Sequence, residues 1–239
     1  MLKFLQRLGL TAYRLYLKIP LPIKFLVITL LLGRIIWRSG DITLVSTSYG
    51  LILFKASYAS VFKVLRFNIY NPLREHIKGA RYLDVGAGVG DSCLYAWRNG
   101  ASYIKAIEPD PIVSRFLSIN MKINNVKSII DERCAGGACY IVNWDNGTIT
   151  RVEKEGITWE EILSEGYDVV KVDCEGCEFT LNSNHISSAK VWLIEVHGEI
   201  KEFINRIPKN YKVKVIGSSR DSSTLKQLTL ILLEDTVCS

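Results

Sequence analysis

Apolar and polar positions recur with two different periods along this chain, and each change of period marks an element. Over residues 2–18, Lys3, Arg7, Arg14 and Lys18 recur on one helical face while Leu5, Leu8, Ala12, Leu15 and Tyr16 take the other, which predicts an amphipathic helix. Ile19-Pro20-Leu21-Pro22 stops it, because proline lacks an amide donor and restricts the residue before it. Ile23 to Trp37 follows, apolar except for Lys24, Thr29, Gly33 and Arg34, and continues a helical arm. Its longest uncharged run is the nine residues Phe25 to Gly33, short of the ~20 that a bilayer span needs.

Residues 41–55 predict two short strands around a Ser/Gly turn, and 56–78 a helix interrupted at Asn71-Pro72. From residue 80 the pattern becomes strand, glycine turn, helix, repeated. Strand Tyr82–Val85 leads to helix Asp91–Arg98, stopped at Gly100, and then to strand Tyr103–Ile107. Asp110-Pro111 opens the next helix as N-cap and first turn, and Val126–Ile130 is a third strand. Ala138–Val152 predicts a hairpin with Asp145-Asn146-Gly147 in its turn. Thr158-Trp159-Glu160-Glu161 is a capping box opening a helix that ends at Gly166. Strands Asp168–Val172 and Val191–Val196, helix Glu199–Ile207 and strands Tyr211–Ile216 and Leu228–Leu233 complete the chain. Alternating strands and helices predict an α/β fold with a mostly parallel sheet and helices on both faces. The expected division is a basic, apolar helical arm over 1–40, a lead-in hairpin and helix over 41–70, and the main domain over 71–239.

The 239 residues carry 30 Lys+Arg against 24 Asp+Glu, a net +6. Seven of the bases precede Asp41, the first acid, so the remainder holds 23 bases against 24 acids and is close to neutral. A nucleic-acid-binding fold normally carries its positive charge on the body, so nucleic acid is not expected as a partner. Two readings fit the arm: a helix packed on the domain, or residues 1–38 attached to an anionic membrane surface. No small-residue cleavage site follows the apolar stretch, and six cysteines in a chain this long do not make a disulfide framework. The expected location is cytoplasmic, peripheral on the inner face of the membrane in the second reading.

Leu83-Asp84-Val85-Gly86-Ala87-Gly88-Val89-Gly90-Asp91 carries the most chemistry. Glycines at alternate positions let the backbone turn sharply and let a ligand reach main-chain atoms. The spacing is not the G-x-G-x-x-G of dinucleotide binders, and no lysine follows to cradle a triphosphate. Asp84 stands where a carboxylate can meet a cationic amino group. Glu108 ends the second strand, where a carboxylate can accept hydrogen bonds from both ribose hydroxyls. An amine plus a ribose, without a diphosphate, describes S-adenosylmethionine.

YLDVGAGVGDS, AIEPDPIVSRFLSINMKINNV, VVKVDCEGCEFTL and VWLIEVHGE together resemble the FkbM-like family of S-adenosylmethionine-dependent methyltransferases over roughly residues 68 to 233. Lys171, Asp173, Glu175, Gly176 and Glu178 match that family's Lys-hydrophobic-Asp-x-Glu-Gly-x-Glu pattern. The resemblance implies a Rossmann-like seven-stranded methyltransferase sheet, its last strand antiparallel, and O-methylation of a hydroxyl on a sugar, glycolipid or other metabolite. Carried over, the turn from Asp84 through Gly86, Ala87, Gly88 and Gly90 to Asp91 would surround the methionine and ribose end. Glu108 would bind the ribose, and Pro109 and Asp110 would lie beside the adenine. Glu132, Cys134 and Ala135 would cover its other side, and Asp173 would end the fourth strand near the methyl group.

A hydroxyl acceptor needs its proton removed by a base within hydrogen-bond reach. Strand carboxyl ends nominate Asp173, Glu175, Glu195 and His197, the last for a free pKa near neutrality; Asp173, Glu175 and His197 form the expected catalytic set. His76 and His185 are read as incidental. No metal site is expected: Cys134, Cys139, Cys174 and Cys177 could form a four-thiolate zinc site, but the inferred strand order sets the ends of strands three and four ~14 Å apart. A redox Cys-x-x-Cys is disfavoured because the family pattern already accounts for the site. The expected partner is a small-molecule or glycan acceptor. Two alternatives are a tRNA base methyltransferase, since the NMKINN stretch also resembles archaeal tRNA guanine methyltransferases, and a catalytically idle cofactor-binding protein at a membrane.

Overall fold

The computed structural model describes residues 15, 16, 18–58, 60–137, 139–143, 148–152, 154–220 and 227–237. The helix expected over 2–18 and the turn Asp145-Asn146-Gly147 lie almost wholly outside these residues. The first described helix, α1 (Leu21–Leu31), begins where the two prolines stand, with Pro20 as N-cap and Pro22 in the first turn. Proline suits that place, because the first-turn amides have no intrahelical acceptor. The apolar run does not continue as one helix to Trp37. A Cβ on Gly33 would lie 2.1 Å from the Ser46 carbonyl oxygen, and past it the chain becomes strand β1 (Arg34–Ser39). With β2 (Ile42–Thr47) and β3 (Gly50–Lys55) it forms a three-stranded antiparallel sheet, so the expected hairpin acquires a third strand taken from the arm. No helix among the described residues is long and apolar enough to cross a membrane.

Helix α2 (Ser60–Leu65), a single 3₁₀ turn at Asn71–Leu73 and α3 (Arg74–Ile77) lead to the main sheet. Its strands and helices follow in order: β4 (Arg81–Val85), α4 (Asp91–Arg98), β5 (Tyr103–Ile107), α5 (Pro111–Ile123), β6 (Ser128–Asp131). Two short strands, β7 (Cys134–Ala135) and β10 (Gly156–Ile157), pair parallel around the hairpin β8 (Cys139–Asn143) and β9 (Thr148–Val152). Then come α6 (Trp159–Leu163), β11 (Val169–Val172), α7 (Ser183–Ile186), β12 (Val191–His197), α8 (Ile200–Ile204), β13 (Tyr211–Arg220) and β14 (Gln227–Asp235). The seven-stranded sheet has the order β13-β14-β12-β11-β4-β5-β6. It is parallel from β12 to β6, and β14 runs antiparallel to both of its neighbours. This is the expected Rossmann-like methyltransferase sheet.

Period-two alternation splits the core between the two faces. Leu83, Val85, Val170, Val172, Trp192 and Ile194 pack against Trp159, Ile162 and Phe203 on one side. Tyr82, Ile104, Val169 and Leu193 pack on the other with α4 and α5, and with Phe25, Ile28, Val45 and Ile52 of the N-terminal elements. The N-terminal sheet is fastened by two asparagines of α5 and its C-cap. Asn120 accepts from the Leu53 amide (2.7 Å) and donates to the Leu53 and Val89 carbonyls, and Asn124 brackets Leu51 in the same way. The NMKINN stretch is thus a structural clamp here.

Candidate functional site

Three strand ends and the turn after β4 build the site. Gly86, at φ +71°, sits against the segment leaving β11, and a Cβ there would lie 1.8 Å from the Asp173 carbonyl oxygen. Gly88, at φ +56°, is open on its outer side, where an added Cβ would meet nothing closer than Asp91 Oδ1 at 3.9 Å. The amides of Gly86 and Ala87 both donate to the Ile107 carbonyl at the end of β5 (2.9 and 3.1 Å). Gly90 then caps α4, whose first residue Asp91 is buried. Burial pushes the Asp91 carboxyl up to about 6, with Lys171 opposing and Asp84 adding to the shift.

Beside the open face of Gly88 lies Glu108. Its two carboxylate oxygens accept from the Gly88 amide (2.8 Å) and the Asp110 amide (2.9 Å). Burial raises its pKa to about 7, in part offset by those two amides. Asp110 caps α5 by accepting from Ile112 and Val113, and Lys154 donates to the Pro109 carbonyl. Ser114 donates to the exposed Glu132 (2.8 Å), which draws the segment after β6 to the first turn of α5. Cys134 and Ala135 follow in β7, both buried. Ala87, Gly88, Glu108, Pro109, Asp110 and Glu132 therefore lie at or just beyond the carboxyl ends of β4 to β6, the end at which open α/β sheets hold ligands.

Asp84 lies inside the sheet instead. It is fully buried, 3.0 Å from the Lys171 ammonium, and accepts from Ser92 (2.5 Å) and Cys93. Where a ligand amino group was expected, the structure places Lys171: it and Asp84 are register partners on adjacent central strands and form a buried ion pair. Burial alone would lower the Lys171 pKa, but Asp84 and then Asp173 hold it above its ordinary value. The ammonium also donates to the Gly86 carbonyl (2.5 Å), so the pair braces the glycine turn from behind. A lysine and an aspartate interrupting two apolar strand runs were the signal for this pair.

Across the turn stands a second group. His197 Nδ1 is 3.1 Å from Glu178 Oε1, and Nε2 faces Asp173 (3.5 Å) and Glu175 (3.6 Å). Glu178 is fully buried and also accepts the amides of Gly176 (2.8 Å) and His197 (2.7 Å). Burial opposes the charged imidazole, yet Glu175, Glu178 and Asp173 push its pKa up to about 10. The three carboxylates thus favour the protonated imidazole over the neutral form that the expected base requires. Burial would raise Asp173, but Lys171 and His197 bring it below the ordinary carboxylate range, whereas burial keeps Glu175 above it. Two further residues, missed in the sequence, close the group: buried Tyr70, whose phenol is raised by burial and by Asp173 and Glu195, and Lys63, 3.9 Å from Glu195.

The loop between these residues is cross-linked. Positive φ at Glu175 (+55°) and Gly176 (+121°) brings Cys174 and Cys177 to a Cα separation of 5.5 Å, and they form a disulfide. Cys134 is also disulfide-bonded, and Cys93 is free and buried. The six cysteines, expected to make no disulfide framework, thus include three among the described residues that are disulfide-bonded.

No family model matches the chain, so the likeness to the FkbM-like family rests on the motif residues alone. Over 64 residues it is 38% identical to the electron transfer flavoprotein beta subunit lysine methyltransferase of Xenopus laevis, covering 27% of this chain and 25% of that protein. The chain thus matches about a quarter of that relative's length. Among solved structures it resembles the M. jannaschii tRNA m1G37 methyltransferase, with a TM-score of 0.53 at 12% identity, covering 83% of this chain and 55% of that one. It also resembles a SAM-dependent methyltransferase from Agrobacterium tumefaciens, with a TM-score of 0.50 at 8% identity, covering 84% and 72%. The acceptors named among these proteins are a protein lysine and tRNA. They overturn the expectation of a small-molecule or glycan acceptor with nucleic acid set aside.

Proposed function

We propose that this chain is an S-adenosylmethionine-dependent methyltransferase whose acceptor is an amine on a protein. The observation that carries the cofactor half is the Gly88–Glu108 pairing: an open main-chain turn with a buried carboxylate anchored beside it. The residues fit the cofactor. The turn Gly86–Gly90 leaves room above Gly88, Glu108 offers a carboxylate to a ribose diol, and Pro109, Asp110, Glu132, Cys134 and Ala135 supply walls for a base. Asp91 and Asp173, at the ends of the turn and of β11, present negative charge toward a cationic ligand. Bound there, S-adenosylmethionine supplies an electrophilic methyl group.

The chain's own residues then align the acceptor and manage its proton. An amine attacks only through its free lone pair. Glu175, held above the ordinary range by burial, is suited to take the proton that the amine must lose, while ionised Asp173 orients it. The protein acceptor is favoured by the relative found at the sequence level, a protein lysine methyltransferase.

Calorimetry with S-adenosylmethionine, followed by methyl-label transfer to a soluble protein extract and to unmodified tRNA, tests the reading. One donor bound per chain and label in protein are expected. Absence of donor binding by the folded protein removes the proposal, label in tRNA alone replaces the acceptor, and donor binding without transfer to either leaves a cofactor-binding protein without catalysis.

A further inference from the structure

The carboxyl ends of β11 and β12 hold a second donor set, which shares Asp173 with the proposed methyl-transfer site. The last ladder pair between these strands is Val172 with Ile194, so one residue further on Asp173 and Glu195 come level, and His197 lies two residues beyond on the same face. Like charges facing each other on neighbouring strands are destabilising unless a cation stands between them. Asp173, Glu195 and His197 each bring one ligand atom within 4.8 Å of the other two.

Two features mark this as more than a patch of acids. Glu195 is nine-tenths buried and is paired with the Lys63 ammonium, at 3.9 Å. A carboxylate this far buried is costly to keep charged, and a cation placed directly against it offsets that cost. The imidazole, in turn, is already oriented: the fully buried Glu178 carboxylate takes Nδ1, which aims Nε2 at the carboxylates. A carboxylate behind one ring nitrogen and an ion before the other is the usual outer-shell arrangement of metal-binding histidines.

We propose that Asp173, Glu195 and His197 bind a divalent first-row transition-metal ion. One imidazole nitrogen with two carboxylate oxygens and no thiolate suits manganese, iron, cobalt or zinc better than an all-oxygen calcium site. Donors at about 2.2 Å from a common ion stand at most about 4.4 Å apart, so a small inward turn of the carboxylates completes the set. On binding, the Nε2 proton leaves to solvent and the ion takes its place. A cation there disfavours the ammonium form of a nearby amine, which would keep the proposed acceptor nucleophilic. Ion binding itself does not depend on the methyltransferase reading.

The test is titration of metal-stripped full-length protein with Mn²⁺, with neither donor nor acceptor present, following loss of the free-ion paramagnetic resonance signal. One ion per chain is expected, weakened at least about tenfold in Glu195→Gln and in His197→Gln. His76→Gln should bind as the wild type does, because the other acid–histidine group, Glu75, His76 and Glu234, lies at the opposite end of the sheet. Melting temperatures establish that each variant folds; should His197→Gln not fold, Glu195→Gln decides alone. A folded wild type that takes up no Mn²⁺, or uptake unchanged in Glu195→Gln, overturns the proposal. Loss confined to His76→Gln overturns it equally, by placing the ion elsewhere.

Discussion

Lys171 Nζ lies 3.0 Å from Asp84 Oδ1 in the middle of the sheet, with the two side chains 3% and 0% exposed. Removing one partner of such a pair strands a buried charge, at a cost of about 3–5 kcal/mol, whereas removing both can be close to neutral. Lys171→Met should therefore lose about that much stability in urea denaturation, and Lys171→Met combined with Asp84→Asn should regain most of it. Additive losses would show that the two groups do not depend on each other.

The N-terminal sheet is held to α5 through side-chain amides, so one truncation should loosen it selectively. Asn120→Ala removes three hydrogen bonds and leaves the Leu53 amide and carbonyl without their partner. A loss of about 2–3 kcal/mol is expected, with faster amide exchange concentrated in residues 34–55. Exchange that rises equally across the central strands would mean that the clamp belongs to the whole fold.

Glu108 gives the protein a pH signature. Its pKa is about 7 in the folded state against an ordinary 4.5, so between these values the folded chain keeps a proton that the unfolded chain has released. The stabilisation from the protonated form is complete below about pH 4.5 and is lost as pH rises through 7, up to about 3 kcal/mol. Asp91, raised to about 6 from 3.8, acts in the same direction. Glu108→Gln should flatten much of this slope in denaturation curves taken from pH 4 to 8. Ribose hydroxyls donate to the ionised carboxylate, so donor affinity should rise from pH 6 to 8 with release of a proton, seen as a buffer-dependent binding enthalpy. An affinity indifferent to pH would remove Glu108 from the ribose site.

The parts of this structure that the sequence made legible are those written locally. Glycine spacing and the switch between periods located β4, the turn and α4, and Asp110-Pro111 marked the start of α5. What stayed hidden depends on partners far along the chain. The run Ile23 to Trp37 is apolar enough for either period, and its break at Gly33 is set by the carbonyl of Ser46. Asp84 reads as a ligand-facing acid until the register puts Lys171 beside it. His197 reads as a neutral base until Glu178, 19 residues earlier, takes its inner nitrogen and leaves the outer one facing Asp173 and Glu175. Asn120 and Asn124 look like a motif of shared function and instead fasten one sheet to a helix.

Two glycines of one turn should respond in opposite ways to the same substitution. At Gly86 a Cβ would lie 1.8 Å from the Asp173 carbonyl oxygen, backbone against side chain, so β4 and β11 would have to part. Gly86→Ala should therefore fail to fold or melt far below the wild type. At Gly88 the added carbon has room and the cost is the positive φ alone, on the order of 1 kcal/mol. Gly88→Ala should fold, with the methyl group standing where a ligand would approach the main chain, and should bind S-adenosylmethionine at least about tenfold more weakly. Calorimetry on that variant, with circular dichroism to establish the fold, separates a turn that only reverses the chain from one shaped for a ligand; undiminished affinity would favour the former.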